Sequence, residues 1–137
     1  MGDKILTFVD ASVLIYAAVK PTADTLARRM RALQVFSDPD RVFVASEFLR
    51  LEVLPIAKFF GKSREIRFYE TFFAGVTHWA NDELLTSQAL FIASTYGLGA
   101  LDALHISAAE QFGAEFVSAE KPTKPIYRAY SNISSIY

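Results

Sequence analysis

The sequence contains no cysteine, which excludes a fold held by disulfides and any metal site built on thiolates. It also lacks a long apolar run, since no stretch approaches the roughly 20 residues that a membrane-spanning helix needs. The short apolar run near the start soon meets an acid, Asp10, which is too early for a signal peptide. Together these absences favour a protein of a reducing, cytoplasmic compartment without a membrane partner.

An excess of positive charge is missing as well. The chain has 14 Lys and Arg against 15 Asp and Glu, and its net charge is −1. A global basic field that attracts nucleic acid is therefore excluded, so a polyanion would have to be held by local patches and metal ions. What the chain does have is apolar content: 52% of its 137 residues are hydrophobic, enough for the core of one domain spanning residues 1–137.

Short apolar runs alternate with segments of helical periodicity. Strands are predicted at 5–9, 42–45, 76–79, 115–118 and, more weakly, 133–136. Helices are predicted from a Ser12 cap, from Thr22 or Asp24 to 36, from a Ser46 cap with a kink at Pro55, from 63 or 64 to 73, from 81–82 to 96, and from Asp102 to 113. This alternation predicts a three-layer α/β/α sandwich whose mostly parallel central sheet has four to five strands.

Four acids are predicted to meet at one edge of this sheet. Asp10 follows the first strand, Glu52 lies two turns into the helix after the second, Asp102 opens a helix, and Glu120 follows the fourth strand. Strand ends and the helix starts that follow them share one edge of a parallel sheet. The competing interpretations are helix capping for Asp10 and Asp102 and a solvated loop for Glu120, whereas Glu52 among apolar neighbours either faces a pocket or costs stability.

Clustered carboxylates suit a hard divalent cation such as Mg²⁺ or Mn²⁺, which relieves their repulsion and leaves open positions for water and phosphate oxygens. The chemistry inferred is metal-dependent phosphodiester hydrolysis. Competing motifs are missing: the sequence has no Gly-rich phosphate loop, no zinc spacing, no Gly-x-Ser-x-Gly elbow and no Asp-x-Asp phosphatase motif. A triad of Ser12 and His105 is disfavoured, because His105 lies one helical turn after Asp102 among apolar residues and is predicted to form a pocket wall.

Three segments resemble the PIN-domain nucleases, especially toxins of the VapC type. Residues 8–15 (FVDASVLI) are similar to that family's first motif, 46–52 (SEFLRLE) to its second and 101–109 (LDALHISAA) to its third. The resemblance implies a Mg²⁺- or Mn²⁺-dependent endoribonuclease in which Asp10, Glu52 and Asp102 bind metal, with a toxin role, an antitoxin partner and a homodimer. The fourth block departs from the usual Thr-x-Asp, because this chain has Ser118, an alanine and Glu120.

The longer Glu120 is carried over as the fourth catalytic and metal-binding acid, with the hydroxyls of Ser12 and Ser118 as supporting groups. The alternative hypothesis is a PIN-like module that binds RNA or metal without turnover because of this change. Four basic residues are candidate RNA ligands, three of them near Glu120 in sequence: Arg41, Lys121, Lys124 and Arg128. An aromatic-rich stretch between residues 59 and 73 supplies either core packing or a groove for a partner.

Overall fold

The computed structural model describes residues 3–137, which form five strands and seven helices. The strands are β1 (Ile5–Val9), β2 (Arg41–Ala45), β3 (His78–Trp79), β4 (Glu115–Ser118) and β5 (Ile133–Ser135). The helices are α1 (Ala11–Ala18), α2 (Leu26–Ser37), α3 (Glu47–Phe59), α4 (Ser63–Ala74), α5 (Asp82–Tyr96), α6 (Ala100–Phe112) and α7 (Ile126–Ala129).

The strands form one sheet in the order β3-β2-β1-β4-β5, and every pairing between neighbours is parallel. β1 is therefore the central strand, and Phe8 and Val9 are completely buried, as a strand covered on both faces requires. Among the helices α1 packs with α2 and α4, and α5 packs on α6. The predicted α/β architecture with a parallel five-stranded sheet is confirmed.

Several helix ends follow the predicted local chemistry. The Ser46 hydroxyl accepts a hydrogen bond from the Leu49 N–H at 3.3 Å, and this cap starts α3 where the sequence predicted it. The Asn81 side chain caps α5 in the same way. Gly97 ends α5 with a φ of +68°, a left-handed conformation that glycine adopts without steric cost.

Other helix starts were predicted wrongly. α1 begins at Ala11, so Ser12 lies inside the helix and is not its cap. α6 begins at Ala100 after Gly99, which puts Asp102 in the first helical turn. α2 begins only at Leu26, because the preceding residues form a turn that is closed by hydrogen bonds between Thr22 and Thr25. The short helix α7 was missed, since four residues carry too little periodicity to be recognised.

Pro55 was expected to kink its helix or to mark an irregular turn, and it lies inside α3, which runs as one helix from Glu47 to Phe59. In the described part of the chain no single helix is long and apolar enough to cross a membrane. Only α5 and α6 counted together reach that length and composition, and they are bent by 118° at their junction.

Candidate active site

Asp10 stands at the carboxyl end of the central strand, and its side chain is only 6% exposed. Its backbone N–H donates to the Val117 carbonyl at 2.9 Å, which extends the pairing of β1 with β4 by one residue. Asp10 occupies the N-cap position of α1, but its carboxylate makes no capping hydrogen bond. The Oδ2 atom instead accepts a hydrogen bond from the Ser118 hydroxyl at 3.3 Å. The capping interpretation of this acid therefore fails, and its side chain is available for chemistry.

Glu52 and Asp102 approach this position from two helices. Glu52 lies on α3 with its side chain 30% exposed, and its Oε1 is 2.7 Å from Nε2 of His105 on α6. Asp102 lies one turn before that histidine on the same helix and is half-buried. The contact between Glu52 and His105 joins α3 to α6, so Glu52 is not simply solvated.

Glu120 follows β4 with one residue between them, and its backbone is held on both sides. Its N–H donates to the Ser118 hydroxyl at 3.0 Å. Its carbonyl oxygen accepts hydrogen bonds from the hydroxyls of Tyr127 and Ser135, each at 2.8 Å. The position of this residue is thus fixed by its neighbours, which a freely solvated loop residue would not need.

Burial and neighbouring acids raise the pKa of two of the four acids, Asp10 and Asp102. Burial raises the pKa of Asp10 from its ordinary 3.8 to about 6; His105 opposes this change, whereas Asp102 and Glu52 add to it. Burial also raises the pKa of Asp102, again opposed by His105 and reinforced by Glu120 and Glu52. Asp10 therefore lies near Asp102 and Glu52, and Asp102 also lies near Glu120.

His105 is the residue whose role the sequence did not predict. It was expected to form a pocket wall, and it is indeed only 1% exposed, with its ring centroid 5.4 Å from that of Phe8. In addition its Nε2 holds Glu52, while its Nδ1 has no hydrogen-bond partner within residues 3–137. Its spacing of three residues after Asp102 was the available signal, because residues at i and i+3 share one face of a helix.

Comparison with known proteins identifies the fold family. A family model described as PIN domain matches residues 7–124, which is most of the chain. The chain belongs to the PIN-domain family. A search of curated protein sequences found no significant match.

Solved structures resemble this PIN domain at low sequence identity. A toxin–antitoxin complex from Klebsiella pneumoniae aligns with a TM-score of 0.69 and 14% identity, covering 96% of this chain and 98% of the other. VapBC2 from Rickettsia felis, bound to a DNA fragment from its promoter, gives 0.67 and 13%, with the same coverage. FitAcB from Neisseria gonorrhoeae gives 0.62 and 14%, covering 95% and 97%. At these identities the likeness establishes the fold.

The acids of the PIN domain have the donor chemistry for a divalent cation. All four offer carboxylate oxygens, the ligands that Mg²⁺ and Mn²⁺ prefer, and their mutual repulsion is the energy that a cation would relieve. In the described residues, however, no three His, Asp or Glu side chains are gathered tightly enough to form a complete metal centre. The donor set fits such an ion in its chemistry, and one of its members, Glu52, is hydrogen-bonded to His105 in this structure.

The two predicted supporting hydroxyls join β4 to the start of α1. The Ser118 hydroxyl bridges Asp10 and Glu120, donating to the first and accepting from the second. The Ser12 hydroxyl accepts a hydrogen bond from the backbone N–H of Ala119 at 3.3 Å. Both serines therefore help to fix the spacing between Asp10 and Glu120. Because the Ser12 hydroxyl is engaged with the Ala119 N–H, Ser12 is not arranged as a nucleophile.

The four basic candidates separate in space. Arg41 begins β2, and a parallel strand of five residues puts it roughly 15 Å from the acid edge. Its guanidinium pairs with Glu115 at 2.6 Å and Asp38 at 3.5 Å, so we remove it from the candidate RNA ligands. Lys121 and Lys124 are exposed in the loop after Glu120, and Arg128 is exposed on α7.

Proposed function

We propose that this PIN domain is a Mg²⁺- or Mn²⁺-dependent endoribonuclease. The observation that carries the proposal is geometric: Asp10 and Glu120 follow the neighbouring parallel strands β1 and β4 and share the Ser118 hydroxyl, and Asp102 and Glu52 lie near enough to Asp10 to add to its raised pKa. That edge is where open α/β sheets bind their ligands. When bound, the metal ion would polarise a phosphoryl oxygen and make a water molecule more acidic.

Each acid has a distinct task in this proposal. Asp10 is the anchoring ligand, because burial and the Ser118 hydroxyl leave it little freedom. Asp102, from α6, and Glu120, from the loop after β4, are two further ligands. Glu52, whose carboxylate is hydrogen-bonded to Nε2 of His105 at 2.7 Å, would be the ligand from α3, and a bound cation would balance the negative charge of the acids. Clustered acids of this kind would otherwise repel the phosphate of an RNA substrate.

The test compares cleavage of a labelled RNA panel in Mn²⁺ by matched acid variants on one helix. Glu52→Gln should lower the cleavage rate by about 100-fold or more, as loss of one transition-state electrostatic contact typically does. Glu47→Gln should stay within about twofold, because Glu47 is paired with Arg50 at 2.6 Å outside the site. Asp10→Asn should behave like Glu52→Gln, and EDTA should abolish activity.

The same comparison decides between the enzyme and a module that binds without turnover. If wild type and Asp10→Asn cleave equally, the cleavage comes from a contaminant and the enzyme proposal is wrong. If wild type binds RNA but leaves it intact in both Mn²⁺ and Mg²⁺, the non-catalytic hypothesis replaces it. The glutamate at position 120 is then the first residue to exchange for aspartate.

We further propose that the chain is the toxin of a toxin–antitoxin pair. Among the solved structures described above, the one from Klebsiella pneumoniae is titled a toxin–antitoxin complex, and the one from Rickettsia felis is VapBC2 bound to a DNA fragment from its promoter. The aromatic stretch supports a partner only in part: Tyr69 and Phe73 are buried, but Phe59 and Phe60 are 83% and 62% exposed. Induced expression of wild type should arrest bacterial growth, whereas Asp10→Asn should not; equal growth of both strains would contradict a toxin role. The predicted homodimer remains a prediction, which light scattering would check.

A further inference from the structure

A second cavity adjoins the acid cluster and has the opposite chemistry. It has a volume of about 290 Å³ and shares Glu120 with the acid site as one wall. Its other walls include the rings of Tyr16 and Tyr137 and the side chains of Lys121 and Lys124. A ligand in this cavity would therefore lie directly beside the four acids, among aromatic and cationic groups.

Positive charge is concentrated around this cavity. Lys121 and Lys124 are exposed lining residues, and Arg28 of α2 donates a hydrogen bond at 3.1 Å to the hydroxyl of Tyr16, another lining residue. Three cations next to a carboxylate cluster are notable in a chain whose net charge is −1. They provide the local attraction for a phosphate chain that the acids alone would repel.

The ring of Tyr137 is exposed but held in place. Its exposed fraction is 45%, and the guanidinium carbon of Arg28 lies 4.2 Å from the ring centroid. The Lys121 ammonium lies 5.4 Å from the same centroid. The backbone before it is fixed, because Arg31 donates to the Ile136 carbonyl at 2.7 Å. The two cations lie over the ring and help to fix it, so the exposed part of Tyr137 can contact a base with little further ordering cost.

The size of the cavity indicates whether an unpaired nucleotide or a base pair could bind in it. Ligand pockets commonly measure about 300–1,000 Å³, so this cavity is at the lower limit and suits one small ligand. Unpaired nucleotides are recognised by stacking on aromatic rings while basic groups follow the backbone. Bases inside a duplex are already stacked and paired, and they could not enter.

We propose that this cavity binds one unpaired nucleotide of the RNA, adjacent to the phosphate that is cleaved. The base stacks in the cavity formed by Tyr137 and Tyr16, and Lys121 and Lys124 hold its phosphate. The proposal rests on the nuclease function proposed above, since Glu120 as a common wall is what makes the nucleotide adjacent to the cleaved bond. It makes the protein selective for single-stranded RNA.

The test measures binding in EDTA, where cleavage cannot interfere, by fluorescence polarisation of a labelled single-stranded RNA of eight randomised nucleotides. Tyr137→Ala should raise the Kd about tenfold, as loss of one base–aromatic stack does, and Tyr137→Phe should stay within about twofold. Phe59→Ala is the matched control, because it removes an exposed ring at the far end of α3.

The lysines are tested by the salt dependence of the same binding. Lys124→Ala should reduce the slope of log Kd against log salt by about 0.7, the value for one phosphate contact on a single strand. Lys62→Ala, an exposed lysine next to α4, should leave the slope unchanged. Because the Lys124 side chain makes no hydrogen bond in the described structure, its loss should not disturb folding.

Each outcome supports or overturns the cavity proposal. An unchanged Kd for Tyr137→Ala overturns it, as does an equal loss for Tyr137→Phe, which would indicate that the hydroxyl and not the ring matters. Equal weakening of single-stranded RNA and of a matched duplex overturns the single-strand selectivity. If the cavity variants lose binding but Asp10→Asn cleaves like wild type, the binding site stands and the nuclease proposal fails. If wild type binds no RNA, both fail.

Discussion

Replacing Asp10 by asparagine should make the folded chain more stable at neutral pH. The buried carboxylate is ionised there at a cost, because its pKa is raised from 3.8 to about 6 by burial and by Asp102 and Glu52, against the opposing effect of His105. An asparagine of the same shape has no charge to bury and can still accept a hydrogen bond from the Ser118 hydroxyl. A site built for function is thus predicted to be unfavourable for stability.

The size and direction of the effect follow from linkage. A change of pKa from 3.8 to about 6 corresponds to about 3 kcal/mol, at about 1.4 kcal/mol for each tenfold change in the ionisation constant. The folded state binds this proton more tightly than the unfolded state, so the stability of wild type falls as the pH rises from about 4 to about 6. Asp10→Asn should therefore match wild type below pH 4 and exceed it by up to about 3 kcal/mol above pH 7.

Urea unfolding in EDTA at pH 4, 6 and 8 would measure this difference. In a thermal melt of a chain of this length, a stability difference of 3 kcal/mol would shift the Tm by roughly 6–15 °C. Asp82→Asn is the matched control: this exposed acid lies in the first turn of α5, where its charge favours the helix, so its loss should cost at most about 1 kcal/mol. A stability difference between wild type and Asp10→Asn that does not change with pH would refute the reasoning, whatever its size.

Two further substitutions test the surroundings of the site. His105→Asn removes the hydrogen bond to Glu52 and should lower the free energy of unfolding by about 1–3 kcal/mol. It should also move the pH-dependent loss of stability upward, because His105 lowers the pKa of Asp10; pH-dependent urea unfolding measures both effects. Arg41→Met leaves the carboxylate of Glu115 without its partner and should cost about 1–3 kcal/mol, with RNA binding unchanged by fluorescence polarisation. Weaker RNA binding by Arg41→Met would return that residue to the RNA-binding surface.

Local sequence patterns predicted the elements that depend on local physics. The strand at Ile5–Val9 and the cap at Ser46 were correct, because an apolar run and a hydroxyl before a helix act over a few residues. Ser12 was misassigned as a cap because Asp10, two residues earlier, already has the extended backbone of that position. Nothing in the local pattern distinguishes these two residues, since both types are good caps.

Convergence of the acids was predictable from topology, but their partners were not. Once the strands are parallel, residues after β1 and β4 must lie on the same edge, which brings Asp10 and Glu120 together. The hydrogen bond from His105 to Glu52 spans 53 positions and depends on how α3 crosses α6, which no local pattern encodes. The position of Arg41, by contrast, was predictable from the sequence. A residue at the start of a parallel strand lies at the edge of the sheet opposite the one where the acids follow the strand ends.

Glu120 joins the two halves of the proposed RNA-binding surface. Its charge adds to the raised pKa of Asp102, so the longer side chain still acts on the acid cluster. It also lines the cavity that carries Lys121 and Lys124. Because hydrogen bonds fix its backbone N–H and carbonyl, the extra methylene changes only the reach of the carboxylate. Glu120 is therefore the one acid whose side chain faces both the acid cluster and the cationic cavity, so a substitution there should alter both.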